Sequence, residues 1–432
     1  MGLEVPRTIS LVGMHYAPEP SGNAPYTAGL AQGLARRGYV VRVLAGTPHY
    51  PQWSIYSGFG QWRRSGFEEG VAVTRVRHYV AKKPNSATRA IMETTFGVRA
   101  AIPWAGLGAD VVVCVSPPLL GSGLVAIRRR KSVPAGLWIQ DLYSRGVVEM
   151  GGSALAGRAS SSLERAIIRS YDGVAVAHAR FRQHLIHGEM TSNPGSVRVI
   201  RNWNLSHGLP GDAAEFRARH GWRDSDIICL HAGNMGKKQG LENLVDSALR
   251  AAERGITELK FVLLGDGNQK QVLQERSAGY ANVQFLPAMA EHDYITALAA
   301  ADILLVNERP GVNDMSVPSK LTSYYASGRP IVGAVAEASV TADELRLSGA
   351  GLRVDPAAPD ELVSQLLALS RDGHLATDLG ERGRSYAETH LSEDRALDAF
   401  EDWIVELQAK STSRRTAKWA DRLRAHFTSQ VS

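Results

Sequence analysis

"VPSKLTSYYASGRPIVG" (residues 317–333) reads as a loop, a helix and then a buried strand. Ser319 is the expected N-cap, because its side-chain oxygen can accept from a free backbone N–H of the first turn. Gly328 ends the helix, and Pro330 stands where the chain enters the apolar pair Ile331-Val332. A helix N-terminus of this kind is a ready anion site, and Lys320 adds a full positive charge to it.

The same alternation runs outward in both directions. In the first half, "TISLVG" (8–13), "VVRVLAG" (40–46), "VVVCVS" (111–116), "AGLWIQ" (135–140) and "GVAVAH" (173–178) read as strands with helical patterns between them. The helix 24–38 places Tyr26, Leu30 and Leu34 on one face and stops at Gly38. The second half repeats the scheme at 227–233, 260–265, 283–287, 301–306, 329–334 and 350–354. Short apolar strands alternating with helices predict parallel sheets covered on both faces. The turn-rich stretch "IRNWNLSHGLPG" (200–211) separates the two series. The expectation is an α/β chain of two Rossmann-like domains, 1–204 and 205–372, with ligands at the carboxyl ends of the strands in the cleft between domains.

Composition narrows the function classes. The 432 residues are 44% hydrophobic and 21% charged, as in a globular protein with a large core. Two cysteines, Cys114 and Cys229, both lie inside apolar strand-like runs, which argues against a disulfide framework and suits a reducing cytoplasm. No signal peptide is expected from "MGLEVPRTISLVG". The apolar stretch 101–127 is broken by Asp110, Pro117 and Pro118, so no membrane span is expected. The net charge of +6 is concentrated at the end. Residues 410–432 hold six lysines and arginines against Asp421, a net +5, and leave +1 for everything else. The basic run "RRRK" (128–131) lacks interleaved aromatics, which argues against a nucleic-acid role.

Several motifs carry chemistry. "AGNMGKKQG" (232–240) follows a strand and precedes a helix. Gly233, Gly236 and Gly240 permit close backbone approach, while Lys237 and Lys238 supply charge. A surface turn with solvated lysines fits the stretch equally, but "VPSK" is a second cationic helix N-terminus in the same domain, and two such sites together suit a diphosphate. "LLGDGNQK" (263–270) lacks the third glycine of a dinucleotide fingerprint and reads as a tight turn. "RDSD" (223–226) reads as a polar turn. His178, His184 and His187 lack the further ligands of a metal pattern. In "EPSGNAP" (19–25), Asn23 can cap the following helix and Gly22 can turn backbone N–H groups toward a phosphate or sugar. Asp141 stands at a strand's carboxyl end in "WIQDLYSRG", where it can serve a substrate or cap a turn.

Taken together, "HYAPEPSGNAPYTAGLAQGLARRG", "TPHYPQW", "WIQDLY", "AGNMGKKQGLENLV" and "ERPGVNDMSVPSKLTSYYASGRPIV" resemble the retaining glycosyltransferases of GT-B fold in family 4, in the branch that makes colanic acid and related exopolysaccharides. The resemblance implies transfer of a hexose-type sugar from a GDP- or UDP-linked donor, with retention and without a metal or other cofactor. It implies that the N-terminal domain binds the acceptor and the C-terminal domain the donor, and that helices within 373–409 cross back to the N-terminal domain. Lys238 (or Lys237) and Lys320 would neutralise the leaving diphosphate, with Asn234 and Ser319 as further donors. Gly311 and Asp314 would reach the sugar hydroxyls, and Gly22 and Asn23 would approach the sugar-phosphate. Gly233 would lie against the diphosphate, the base would be read near Pro287 and Ala288, and Asp141 would serve catalysis. Many family members carry two glutamates eight positions apart. The corresponding residues here are Met315 and Ser323, with Asp314 beside the first.

In the tail, Trp419, Leu423 and Phe427 recur every four residues, flanked by Arg414, Arg415, Lys418, Arg422 and Arg424. The pattern predicts a helix on an anionic membrane surface, or one packed on the body with solvated arginines. A lipid-linked acceptor and a place at the inner face of the cell membrane follow from the first reading. A nucleotide-sugar epimerase of the same fold and a non-catalytic nucleotide-sugar-binding protein are the competing functions.

Overall fold

The computed structural model describes residues 8–20, 22–101, 108–149, 153–206, 208–313 and 319–428, with only the backbone of helical residues 147–149, 154 and 411–428 considered. Asp314 of the expected site lies outside the described residues.

The chain forms two compact units. The first comprises residues up to Val147, Ser153–Arg201 and the chain from Glu393 onward, and the second is in the main Asn202–Ser392. The first unit's strands are β1 (Thr8–Gly13), β2 (Val40–Gly46), β3 (Arg63–Glu68), β4 (Val71–Val76), β5 (Val111–Ser116), β6 (Ala135–Ile139), β7 (Gly173–Val176) and β8 (Val197–Val199). They form one sheet in the order β3-β4-β2-β1-β5-β6-β7-β8. All pairings are parallel except β3 with β4. The β3–β4 hairpin was missed in sequence because β3, "RRSGFE", is an exposed edge strand without an apolar run.

The second unit holds β9 (Ile227–Ala232), β10 (Leu259–Leu264), β11 (Val283–Leu286), β12 (Ile303–Asn307), β13 (Ile331–Ala334) and β14 (Gly351–Val354), all parallel, in the order β11-β10-β9-β12-β13-β14. Alternation along the strands builds two core layers. Ile228, Leu230, Val262 and Leu264 pack on one face of the sheet, and Cys229, Phe261 and Leu263 on the other. Strand order reverses between β1 and β5 in the first sheet and between β9 and β12 in the second. At such switch points the loops leave in opposite directions and open a crevice for a ligand.

The C-terminal helices divide differently from the expectation for 373–409. Helix Gly373–His390 belongs to the second unit, because a Cβ at its Gly380 would lie 2.1 Å from the Gly328 carbonyl oxygen, so close is its approach to helix Lys320–Ser327. The chain joins the first unit only from Glu393. There one helix, Glu393–Thr428, begins with Leu397, Phe400, Trp403, Ile404 and Leu407 buried on one face. Phe400 meets Trp138 of β6 edge-on at 4.8 Å. Trp403 lies so close to Gly136 that a Cβ there would fall 2.5 Å from the indole. Arg37 fixes the same helix through Asp394, Asp398 and Glu401. The unit boundary falls at Arg201, three residues before the expected one.

Candidate active site

In the second unit the site grows from the carboxyl end of β9. The chain leaves Ala232 through Gly233, at φ +137°, makes a short 3-10 turn at Lys237–Gln239, and enters helix Glu242–Glu253. Neighbours from two strands shape this loop. From β10, Met235 N–H donates to the Asp266 carbonyl at 2.8 Å, and Gly265 and Gly267 pack their backbones against it. The "GDG" stretch is thus a shelf beneath the loop. From β12, Asn307 Nδ2 donates to the carbonyls of Gln239 and Gly240 at 2.8 Å each, and the Arg309 N–H donates to Lys238. Asn307 Oδ1 in turn accepts from Asn243.

Helix Lys320–Ser327 brings the second cation. Its Tyr324 hydroxyl accepts from the Ala232 N–H at 2.7 Å, tying the helix to the end of β9. The Lys320 amine lies 2.9 Å from His231 Nε2, and a Cβ on Gly233 would be 3.5 Å from it. Burial lowers the Lys320 pKa to about 7. The Glu308 carboxylate opposes the shift and Lys238 adds to it. Glu308 is itself buried and accepts from Thr341 at 2.8 Å. Lys320 therefore reaches the glycine loop that itself carries Lys238, at the switch point. Of the adjacent pair, Lys238 is half-buried and felt by Lys320, whereas Lys237 is exposed. Lys238 is therefore the one of the pair whose charge reaches Lys320.

Other expected residues fall as follows. Ser319 occupies the N-cap position, but its backbone is already helical and its side chain makes no cap bond, so the capping expectation fails. Ser323 donates to the Lys320 carbonyl and pairs with the Tyr294 hydroxyl at 2.8 Å, which commits it to helix packing. Asn234, Pro287, Ala288 and Gly311 are exposed on loops at the carboxyl ends of β9, β11 and β12. His231 and Glu308 were not anticipated. A histidine inside an apolar strand and a glutamate in a loop carry no spacing signal, and only the β9–β12 pairing puts them beside Lys320.

The first unit gathers a second constellation at the carboxyl ends of β1 and β2. Glu19 is buried, and its carboxylate accepts from the His49 and Tyr50 N–H groups at 2.7 and 2.9 Å and bonds His15 Nδ1 at 2.6 Å. Burial works against the charge, but these partners hold the Glu19 pKa below the usual value. His49 and His78 are kept neutral by burial, His78 down to about 3. Donor atoms of His15, Glu19 and His49 all lie within 4.8 Å, the reach of a metal ion. Within the group, His15 bonds Glu19 directly, and His49 Nδ1 meets the Thr47 carbonyl at 2.9 Å. Asp141 and Arg89 act electrostatically on Tyr50, and Arg89 stacks over Trp53 at 5.5 Å. Asn23 does not cap its helix. Its amide donates across the β1/β5 switch point to the Pro117 carbonyl at 2.8 Å, and Gly22 takes φ +70° just before it. Away from both sites, His178 caps helix Ala179–His187, and Asp226 pairs with Arg223.

In the tail, Arg415, Trp419, Arg422, Leu423 and Phe427 ride the backbone of the Glu393–Thr428 helix, and their side chains lie outside those described. Among the described residues no helix is long and apolar enough to cross a membrane.

Comparison with known proteins fits this geometry. The chain is 28% identical over 410 residues to the colanic acid biosynthesis glycosyl transferase WcaI of Escherichia coli (strain K12), covering 91% of this chain and 98% of that one. Among solved structures, sucrose-phosphate synthase from Thermosynechococcus elongatus superposes with a TM-score of 0.69 at 18% identity, over 92% of this chain and 98% of the other. Anabaena HepE in complex with UDP-glucose gives 0.64 at 15% identity, over 94% and 99%. The glycosyl transferase 4-like domain family matches residues 21–203, and the glycosyl transferases group 1 family matches 212–386. The chain belongs to the GT-B glycosyltransferases, with a glycosyl transferase 4-like domain followed by a group 1 domain.

Proposed function

We propose that the protein moves a sugar from a nucleotide diphosphate-sugar to a lipid-linked saccharide in the synthesis of cell-surface polysaccharide or glycolipid, with retention at the anomeric carbon. The observation that carries this reading is the pairing of Lys238 and Lys320 around the Gly233 loop. As the bond from the anomeric carbon to the diphosphate breaks, its electron pair leaves on a phosphate oxygen. Two cations in a preorganised loop stabilise that charge where it develops, which is the main electrostatic demand of the reaction. On this reading no metal is needed, since the lysines supply the positive charge. HepE, with UDP-glucose in its complex, and WcaI, named for colanic acid synthesis, support a nucleotide-sugar donor and a polysaccharide product. The acceptor would sit on the first unit, near the His15, Tyr50 and Asp141 rim. The basic, aromatic-bearing end of the last helix supports attachment to an anionic membrane surface.

Thermal unfolding with UDP, GDP, ADP, CDP and dTDP tests the donor site. At about 100 times its dissociation constant, a specific ligand adds roughly 2.7 kcal/mol, a shift of several degrees. A shift with one base names the donor class, and no shift with any of them rejects the donor site.

A further inference from the structure

His231 sits one residue before the end of β9, 0% exposed, and its ring touches two elements of the donor site. Its Nδ1 faces the Leu305 carbonyl oxygen at 3.2 Å, and its Nε2 lies 2.9 Å from the Lys320 amine. The Asn234 backbone also bonds the ring, and Nδ1 lies 3.5 Å from the amine, farther than Nε2. With the ring proton on Nδ1 for the Leu305 carbonyl, which can only accept, Nε2 is the acceptor directed at Lys320. Burial and the neighbouring amine hold the imidazole well below its ordinary pKa, so it is not a competing cation. The Leu305 carbonyl also receives the Tyr324 hydroxyl at 3.4 Å, and that hydroxyl is bonded to Ala232. The ring is therefore fixed by the same strands and helix that carry the loop and the lysine.

We propose that His231 is the positioning residue of the diphosphate site, aiming the Lys320 amine at the Gly233 loop and keeping one of its hydrogens engaged. An ammonium has three donors, so one can stay with Nε2 while two turn to phosphate oxygens. Among the described residues, the charged groups facing the amine are Glu308, which favours its charge, and Lys238, which opposes it. His231 adds no charge. Burial decides the balance against the proton until a diphosphate brings negative charge to the loop. The inference rests on the donor-site reading and deepens it.

Calorimetric titration of the full chain with UDP, GDP, ADP, CDP and dTDP, at about pH 8 in buffers of different ionisation enthalpy, counts the protons taken up. The wild type is expected to take up close to one proton per nucleotide, and Lys320→Met none. His231→Leu is expected to bind about tenfold more weakly. His231→Gln should recover most of the affinity, since its amide can accept from the amine and donate to Leu305. Circular dichroism checks each fold, and the wild-type proton count needs no variant. Nucleotide binding without proton uptake, or His231→Leu binding at wild-type affinity, overturns the role of His231 while the donor site stands. Binding by none of the nucleotides overturns the donor site and this inference together.

Discussion

A Cβ built on Gly265 would lie 2.1 Å from the carbonyl oxygen of Gly233. Two strand-to-helix turns are thus in backbone contact, and the loop that faces Lys320 has its shape dictated from below. Gly265 also takes φ +133°, a conformation side chains rarely adopt. Gly265→Ala should displace the Gly233 loop and weaken nucleoside diphosphate binding by tenfold or more. The fold should lose about 1–3 kcal/mol. Titration calorimetry and denaturant unfolding measure the two effects, and wild-type affinity would mean that the loop tolerates displacement.

Lys320 is costly to bury as a cation. Its pKa falls from 10.5 unfolded to about 7 folded. Between these values the unfolded chain holds the proton and the folded chain does not, so stability rises with pH through that window. Below about pH 7 both states are protonated and the cost of burying the charge is fully present. Lys320→Met should therefore stabilise the fold at neutral pH by about 1–3 kcal/mol, the burial cost less the lost His231 bond. The pH slope above 7 should flatten. Turnover should drop by a factor of about 100 or more. Chemical denaturation across pH and a donor-turnover assay separate these effects, and near-normal turnover would remove Lys320 from the leaving-group role.

Glu19 carries the opposite sign. Its folded pKa lies below 4.5, so its contribution is fully present above that value and is lost as pH falls through the folded one. Glu19→Gln should cost on the order of 1–3 kcal/mol at neutral pH, because two backbone donors and His15 lose a charged acceptor. The difference from wild type should shrink in acid. A constant difference down to low pH would mean that Glu19 is not ionised in the fold.

Trp403 anchors the last helix on a surface made flat by Gly136, where its indole replaces a side chain. Trp403→Ala should cost about 3–5 kcal/mol and loosen the segment after Glu393. Gly136→Val should do similar damage from the other side. Hydrogen exchange on residues 393–410 reads both variants, and unchanged protection would show that the ion pairs of Arg36, Arg37 and Arg198 and the packing of Phe400 hold the helix without Trp403.

Deleting residues 411–432 tests the tail. Binding to vesicles containing anionic lipid should fall, with each basic residue worth about 1 kcal/mol near such a surface, while nucleotide affinity stays unchanged. Undiminished vesicle binding would place membrane contact elsewhere on the chain.

The sequence by itself determined the two sheets, all their strands but β3, β4 and β8, and the two cationic turns, because each is a local matter. Buried parallel strands read as apolar runs such as "VVVCVS", and a glycine loop between strand and helix announces itself wherever it falls. Lys238 and Lys320 were legible for the same reason. The tertiary structure decided what those residues touch. His231 becomes the partner of Lys320 only because β9 lies beside β12 and Tyr324 binds the end of β9. Glu19 meets His49 and Tyr50 only because β1 and β2 run side by side. Asn23, legible as a cap, has a helical backbone and makes no cap bond, and its amide donates to Pro117 once the β1/β5 crevice forms. The end of the chain follows the same rule. The stripe at Trp419, Leu423 and Phe427 predicts a helix at the chain's end, and the resemblance implies a return of 373–409 to the N-terminal domain. The contact itself comes from glycines at 136 and 173, whose missing side chains matter only after folding makes them neighbours of Trp403 and Leu407.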